Sequence, residues 1–529
     1  MSDWNQPQGP FDIPDVPGFV PRRLKPWMFI LFVLIIQFSG GLYLAAVTDM
    51  VGTTALMQED ILMAGYASLI GMSLNFAVMF RIKFRFSNRT QLLATGIVLL
   101  AATIVCSVTT NVAVLTLACF IAGWFRMQGT LACNSTIQLW ITPARDMAVF
   151  FCYVYLLVDG VIQLSGLTAV YTALYSQWEY MHYLMAALLC LMMLLVLWLV
   201  RPVRNPMYIP LRGIDWLGSA LWGIFFLCFT FVSVYGNFFD WWESSEIWCA
   251  TLIGVSALMI NLWRATFMEQ PYISFASMTN RNVIRAVVIY LIFFTLMACE
   301  HLFEHTYASA ILGFDETNLI DLNWYVLCGI VAGAAFTYFT FALHRWSYKT
   351  MTAIAFTMAA AYLLWFYFHV GCRIEKEALF APLFLRGAAS VIISICYLTS
   401  IVRSGLPFTV FPQALVINGF VGAVMGVSFC PAILAEWFEH VMARNSATLG
   451  FTLTHTNPDA VYLILNQLYG AVQTQALIVS MKEIIGWLLI LALISLLIIL
   501  FSYESVRQLA IHFRTKLRII SANICSRLV

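Results

Sequence analysis

The feature that most constrains this chain is the recurrence of apolar runs about 20 residues long. Such a run crosses the roughly 30 Å hydrocarbon core of a bilayer as one helix. Runs of that kind occupy 27–48, 61–80, 91–110, 112–135, 147–172, 181–200, 215–236, 247–267, 284–310, 322–343, 351–370, 380–402, 409–434 and 484–502. That reading gives an all-α integral membrane fold with fourteen transmembrane helices. Unpaired backbone groups in lipid cost several kcal/mol each, so helix is the economical form for every run. Composition agrees: 62% of residues are hydrophobic and 10% charged, against roughly 25% charged in soluble domains.

The charges test the count. With fourteen spans both tails share one side. That side carries Arg22, Arg23, Lys25, Arg81, Lys83, Arg85, Arg89, Arg281, Arg345 and Lys349 among 22 of the 28 Lys and Arg. The opposite loops carry Asp49, Glu59, Asp60, Glu179, Asp240, Asp321, Glu436 and Glu439. The positive-inside rule then predicts both termini in the cytoplasm. The expected organisation is a polar tail over 1–26, a six-helix half over 27–200, and two extra helices over 201–280. A second six-helix half over 281–502 contains a hairpin loop at 435–483, and a basic tail covers 503–529. Residues 1–26 are polar and rich in proline, so they read as a retained tail rather than a signal peptide.

Thirteen cysteines are present without a CxxC pair. Most lie inside apolar runs, where Cys behaves as a small hydrophobe, so free thiols are expected. A GxxxxGK[ST] loop is absent, which argues against direct use of ATP. No cofactor is expected, and nothing suggests a nucleic-acid partner.

Ionisable groups at bilayer depth are costly and point to function. Asp159 lies about 12 residues into its span, near the midplane at 1.5 Å per residue. It is the first candidate to load and release a proton. Arg126 lies at similar depth in the preceding span and needs a partner, for which Asp159 is the first choice, with Gln128 in support. Gln163 is the alternative hydrogen-bond partner of Asp159. Glu300 and Glu304 are four residues apart, as are His301 and His305, so each pair shares one side of a helix. They read as a titratable cavity wall or as a polar helix end. His301, Glu304 and His305 also match the HxxEH pattern of inverted zinc peptidases, which leaves an intramembrane metalloenzyme as the minor alternative. Arg386 reads as a snorkelling residue near a helix end. Tyr155 and Tyr307, with Gln37, Gln128, Gln163, His301 and His305, are the expected lining of a substrate cavity.

Several local patterns resemble the major facilitator superfamily, in particular its fourteen-helix drug:proton antiporter branch. Trp124, Arg126, Gln128 and Gly129 resemble that superfamily's Arg and Gln-Gly motif in the fourth span. Trp178-Glu-Tyr-Met-His-Tyr183 resembles the family's entry to the sixth span. Asp215 and Gly218 resemble its DxxG motif, and Gly236 with Asp240, Trp241 and Ser244 resembles the outer turn of this branch. Leu385-Arg386-Gly387 sits where the family often has a Gly-rich span start. The resemblance covers about residues 110–250. It implies two six-helix halves plus two extra central helices, proton-coupled export of small amphiphilic compounds, and a role for Arg126 in proton transfer. It also implies a bacterial inner membrane and a periplasmic adaptor as a partner. Import or export of one specific metabolite is the alternative. This sequence departs from the family in three places, one of them the span 5 antiporter motif, degenerate and without Pro near Ser165-Gly166-Leu-Thr-Ala169-Val170. Gln37 stands near the position of the usual first-span acid, and the basic loop after the second span lacks its Asp.

Overall fold

A computed structural model describes residues 16–21, 24–40, 47–54, 56–142, 146–203, 209, 211–300, 304, 306–371, 374–407, 410–452 and 465–501. Among these the chain is helical throughout, with no strand. Eleven helices are long and apolar enough to cross a bilayer, or twelve if one bent pair counts as a single span.

The N-terminal half contains α1 (Lys25–Phe38), α2 (Val47–Thr54), α3 (Gln58–Asn75), α4 (Met79–Arg85), α5 (Asn88–Val108), α6 (Val112–Ile141), α7 (Met147–Tyr175) and α8 (Tyr180–Leu199). Then follow α9 (Trp216–Tyr235), α10 (Ser245–Phe267), α11 (Arg281–Met297), α12 (Glu316–Thr337), α13 (Tyr348–His369) and α14 (Phe380–Val402). The last elements are α15 (Phe411–Gly419), which continues through a π-helical stretch Phe420–Phe429 into α16 (Cys430–Thr452), and α17 (Leu465–Leu500).

Three departures from the expected spans matter. The run 27–48 is not one helix: α1 stops at Phe38, and Ser39 and Gly40 form a turn. At 14 residues, α1 is about 21 Å long, short of the roughly 30 Å core. The run 61–80 bends by 66° between α3 and α4. At 435–483, where a hairpin is expected, the flanking helices themselves extend. The helix over Phe411–Phe451 has 41 residues, or about 60 Å, so it must continue far beyond the hydrocarbon. It pairs there with α17, through Arg444 to Glu483 at 2.6 Å and Asn445 Nδ2 to Ser480 at 3.0 Å. The connecting residues 453–464, like the tails 1–15 and 502–529, lie outside the described residues.

One apolar core lies within the N-terminal helices, and a larger one centres on the C-terminal helices and takes in Ala148 and Phe151 from across the seam. Phe29, Phe32, Ile36, Leu92, Leu189 and Met192 belong to the first. Phe293, Ala355, Phe356, Leu363, Ile392 and Ile484 belong to the second. In lipid no hydrophobic force drives helices together, so close approach rests on small residues. Gly71 of α3 faces the Phe120 carbonyl of α6, and Gly123 of α6 faces the Ser68 carbonyl of α3. The second half repeats this device: Gly329 of α12 faces the Phe384 carbonyl of α14, and Gly387 of α14 faces the Val326 carbonyl of α12. A Cβ at any of the four would overlap backbone.

The halves meet along two seams. In one, α7 packs on α12 and α14; in the other, α3 packs on α15 and the π-helical stretch. The pair α9 and α10 covers the second seam through contacts with α3 and with Phe420. Salt bridges and hydrogen bonds join the halves at both ends. At the basic end Arg345 meets Asp146 at 2.8 Å. At the acidic end Trp324 Nε1 donates to Tyr171 at 3.0 Å, and Tyr171 donates to Asp321 at 3.4 Å.

Candidate functional site

One face of α7 looks across the seam. Tyr155, Asp159 and Gln163 are spaced by four, so they form one stripe along it. Gln163 borders a cavity of about 170 Å³ whose other walls belong to the second half. Tyr290, Met297 and Glu300 come from α11 and its continuation, Val326 from α12, and Arg386 and Ser394 from α14. Tyr290 stacks on Tyr397 with ring centroids 4.0 Å apart, and its hydroxyl meets Ser394 Oγ at 3.0 Å. Tyr155 packs against the core of the second half.

The charged wall of this cavity is a cluster of three side chains. Past Met297 the α-helix of α11 gives way to π-helical turns at Glu300 and Glu304. Such widened turns are frequent at functional sites. Both carboxylates face Arg386. Its Nη1 lies 2.5 Å from Glu300 Oε2, and its Nε lies 3.3 Å from Glu304 Oε1. The first contact is a hydrogen-bonded ion pair. The second is close in charge but not aligned as a hydrogen bond. Tyr362 of α13 donates to Glu304 Oε1 at 2.6 Å. The three charged side chains are only 12–26% exposed. Among the described residues two carboxylates face one guanidinium, in a place where charge is costly.

Arg386 therefore does not snorkel. Gly387 beside it lets α14 press onto α12, which holds Arg386 inside the bundle. Sequence reasoning missed both Arg386 and Tyr362 as parts of this site. The available signal was an arginine in an apolar run, which needs an acid from somewhere.

The expected Arg126–Asp159 pair does not form. Arg126 turns into the N-terminal half, where Nε and Nη2 lie 3.1 and 2.8 Å from Met72 Sδ. Asp159 faces the other half and bonds neither Arg126 nor Gln163. Gln128 does not support Arg126 either: it donates to Gln91 Oε1 at 2.7 Å. Two residues on an α-helix are about 200° apart around the axis, so 126 and 128 face different neighbours.

Gln37 also lies inside the first half and donates to Thr130 Oγ1 at 2.7 Å. Tyr307 is buried in the second half and donates to the His369 carbonyl at 3.0 Å. Neither borders the cavity between the halves. His301 and His305 lie outside the described residues. Glu304, the third member of the zinc-peptidase pattern, is occupied by Arg386 and Tyr362.

No family model matches the chain, and no curated protein matches its sequence. Solved structures do share its fold. The peptide transporter POT aligns over 92% of this chain and 96% of its own, at 13% identity and a TM-score of 0.57. A structure described under substrate recognition in proton-dependent oligopeptide transporters aligns over 90% and 99%, at 13% identity and 0.58. The nucleoside transporter NupG aligns over 89% and 99%, at 11% identity and 0.53.

Proposed function

We propose that this chain is a secondary active transporter. It moves a small solute through the cavity between its halves by alternating access, and it couples that movement to protons at Glu300, Arg386 and Glu304. The observation that carries the reading is Arg386 held between two carboxylates on the cavity wall. A proton on either acid removes a charge from the cluster and weakens one arm of it. Protonation thereby changes how α11 and α14 hold together, which is what coupling to a rocking motion needs. The shared fold with proton-dependent oligopeptide transporters and a nucleoside transporter supports the same class.

Asp159 takes a different part in this proposal. Among the described residues it has no hydrogen-bonded or ion-paired partner whose contact a proton would make or break. It is the acid that meets the solute, beside Tyr155 and Gln163. The wall opposite combines Tyr290, Phe293, Phe294 and Met297 with the Glu300–Arg386 pair. That mixture suits an amphiphilic compound, and export of such compounds is the favoured direction. The fixed charges favour a second reading, carriage of one specific polar metabolite. The adaptor partner rests on the family resemblance alone.

The proposed topology keeps fourteen spans, with α1 and α11 as short first and ninth members and both termini in the cytoplasm of a bacterial inner membrane. Sealed vesicles holding the purified chain test the function. A panel of amphiphilic dyes and polar metabolites should show accumulation that depends on an imposed pH gradient and is lost in Glu300→Gln. Equal accumulation with and without the gradient rejects proton coupling.

A further inference from the structure

The N-terminal half holds a second cavity, of about 50 Å³, that the transport path does not use. Every residue around it comes from that half, including Ser39, Gly40, Cys106, Cys119, Arg126 and His182. A solute passed between the halves has no reason to enter it.

Its dominant group is Arg126, only 2% exposed. A guanidinium keeps its charge in a protein, and a buried charge without a counterion costs several kcal/mol. Among the described residues no carboxylate pairs with Arg126. Its Nε and Nη2 touch Met72 Sδ, a weak acceptor. Gln37, near the expected first-span acid, is neutral and turned to Thr130. The end of α1 at Phe38 offers a partial negative charge of roughly half a unit. Among the described residues no carbonyl there accepts a hydrogen bond from Arg126, and no hydrogen-bond partner of the remaining nitrogen, Nη1, is found; Nη1 packs against Gly40. A Cβ at Gly40 would overlap that nitrogen.

We propose that this cavity binds a small inorganic monovalent anion of chloride size, seated against the Arg126 guanidinium, which the missing Cβ of Gly40 lets pack against α1. A water needs about 10–15 Å³ of such space, so the cavity admits a halide with a water or two. The thiols of Cys106 and Cys119, with Sγ atoms 3.9 Å apart, supply further weak S–H donors. The anion does for Arg126 what a first-span carboxylate would do. It completes the charge balance where α1 breaks.

The test uses the full-length chain in detergent, at fixed pH and ionic strength, with gluconate, chloride or bromide as the anion. Equilibrium dialysis with radiolabelled chloride should show a single saturable site per chain, competed by bromide and not by gluconate. The melting temperature should rise along the same saturation curve. Bromide in crystals should give an anomalous peak beside Arg126. Arg126→Gln should abolish the binding. Should that variant not fold, Gly40→Ala, whose Cβ would overlap Nη1 and displace the guanidinium, should weaken it about tenfold or more. Absence of saturable chloride binding to the folded chain overturns the proposal. So does a bromide peak away from Arg126 with binding unchanged in Gly40→Ala. No transported solute is needed, so failure here leaves the transport reading standing.

Discussion

Arg386 Nη1 lies 2.5 Å from Glu300 Oε2, joining α14 to the π-helical continuation of α11 across 86 residues of sequence. Glu304 closes on the same guanidinium from one turn further along. Breaking a buried pair from one side strands the other partner, at a cost of about 3–5 kcal/mol. Arg386→Met should therefore lower thermal stability by that order. Arg386→Met combined with Glu300→Gln and Glu304→Gln should recover much of the loss. A triple variant no more stable than Arg386→Met alone would show that packing of the arginine stem, and not its charge, is what matters.

The glycine contacts within each half predict a matched pair of outcomes. Gly123→Val and Gly387→Val each drive a side chain into the backbone of the partner helix. Overpacking of this kind costs about 1–3 kcal/mol. Melting temperatures of the two purified variants should fall by similar amounts. A fall in only one would mean that the halves do not repeat the same packing.

Arg345 and Asp146 bridge the halves at the basic end, and the arginine side chain is 66% exposed. Exposed pairs contribute about 0–1 kcal/mol. Arg345→Gln should leave the melting temperature within a degree or two while loosening this end. Spin labels flanking the contact should report a broader and longer distance distribution. An unchanged distribution would mean that the pair does not hold the halves together.

The charge asymmetry predicts the sidedness of the loops. Single cysteines in a cysteine-free background at Asn237 or Asp321 should react with an impermeant maleimide added outside intact cells. A cysteine at Lys349 should react only after permeabilisation. The reverse pattern would invert the proposed topology.

Much of the fold was legible because hydropathy along the chain directly reports depth in lipid. Each expected span contains helix, although the first stops at Phe38 and the second bends by 66°, and Glu300 and Glu304 both face Arg386. What the sequence hid depends on rotation and on long-range partners. Arg126 and Asp159 share a depth, yet their helices turn them to different neighbours, so depth alone made a false pair. Arg386 was underestimated because its acids lie on another helix. The break after Phe38 was concealed because Ser39, Gly40 and Gly41 sit in an otherwise apolar run, whose mean hydropathy stays high through two glycines.

The most direct test of the account is proton movement driven by solute. The purified chain is sealed into vesicles with a pH-sensitive dye inside, and solutes that it carries are added without an imposed gradient. The account predicts a change in internal pH that needs the solute, collapses with a protonophore, and disappears in Glu300→Gln while the variant still melts cooperatively. Solute movement at full rate with no change in internal pH would contradict it.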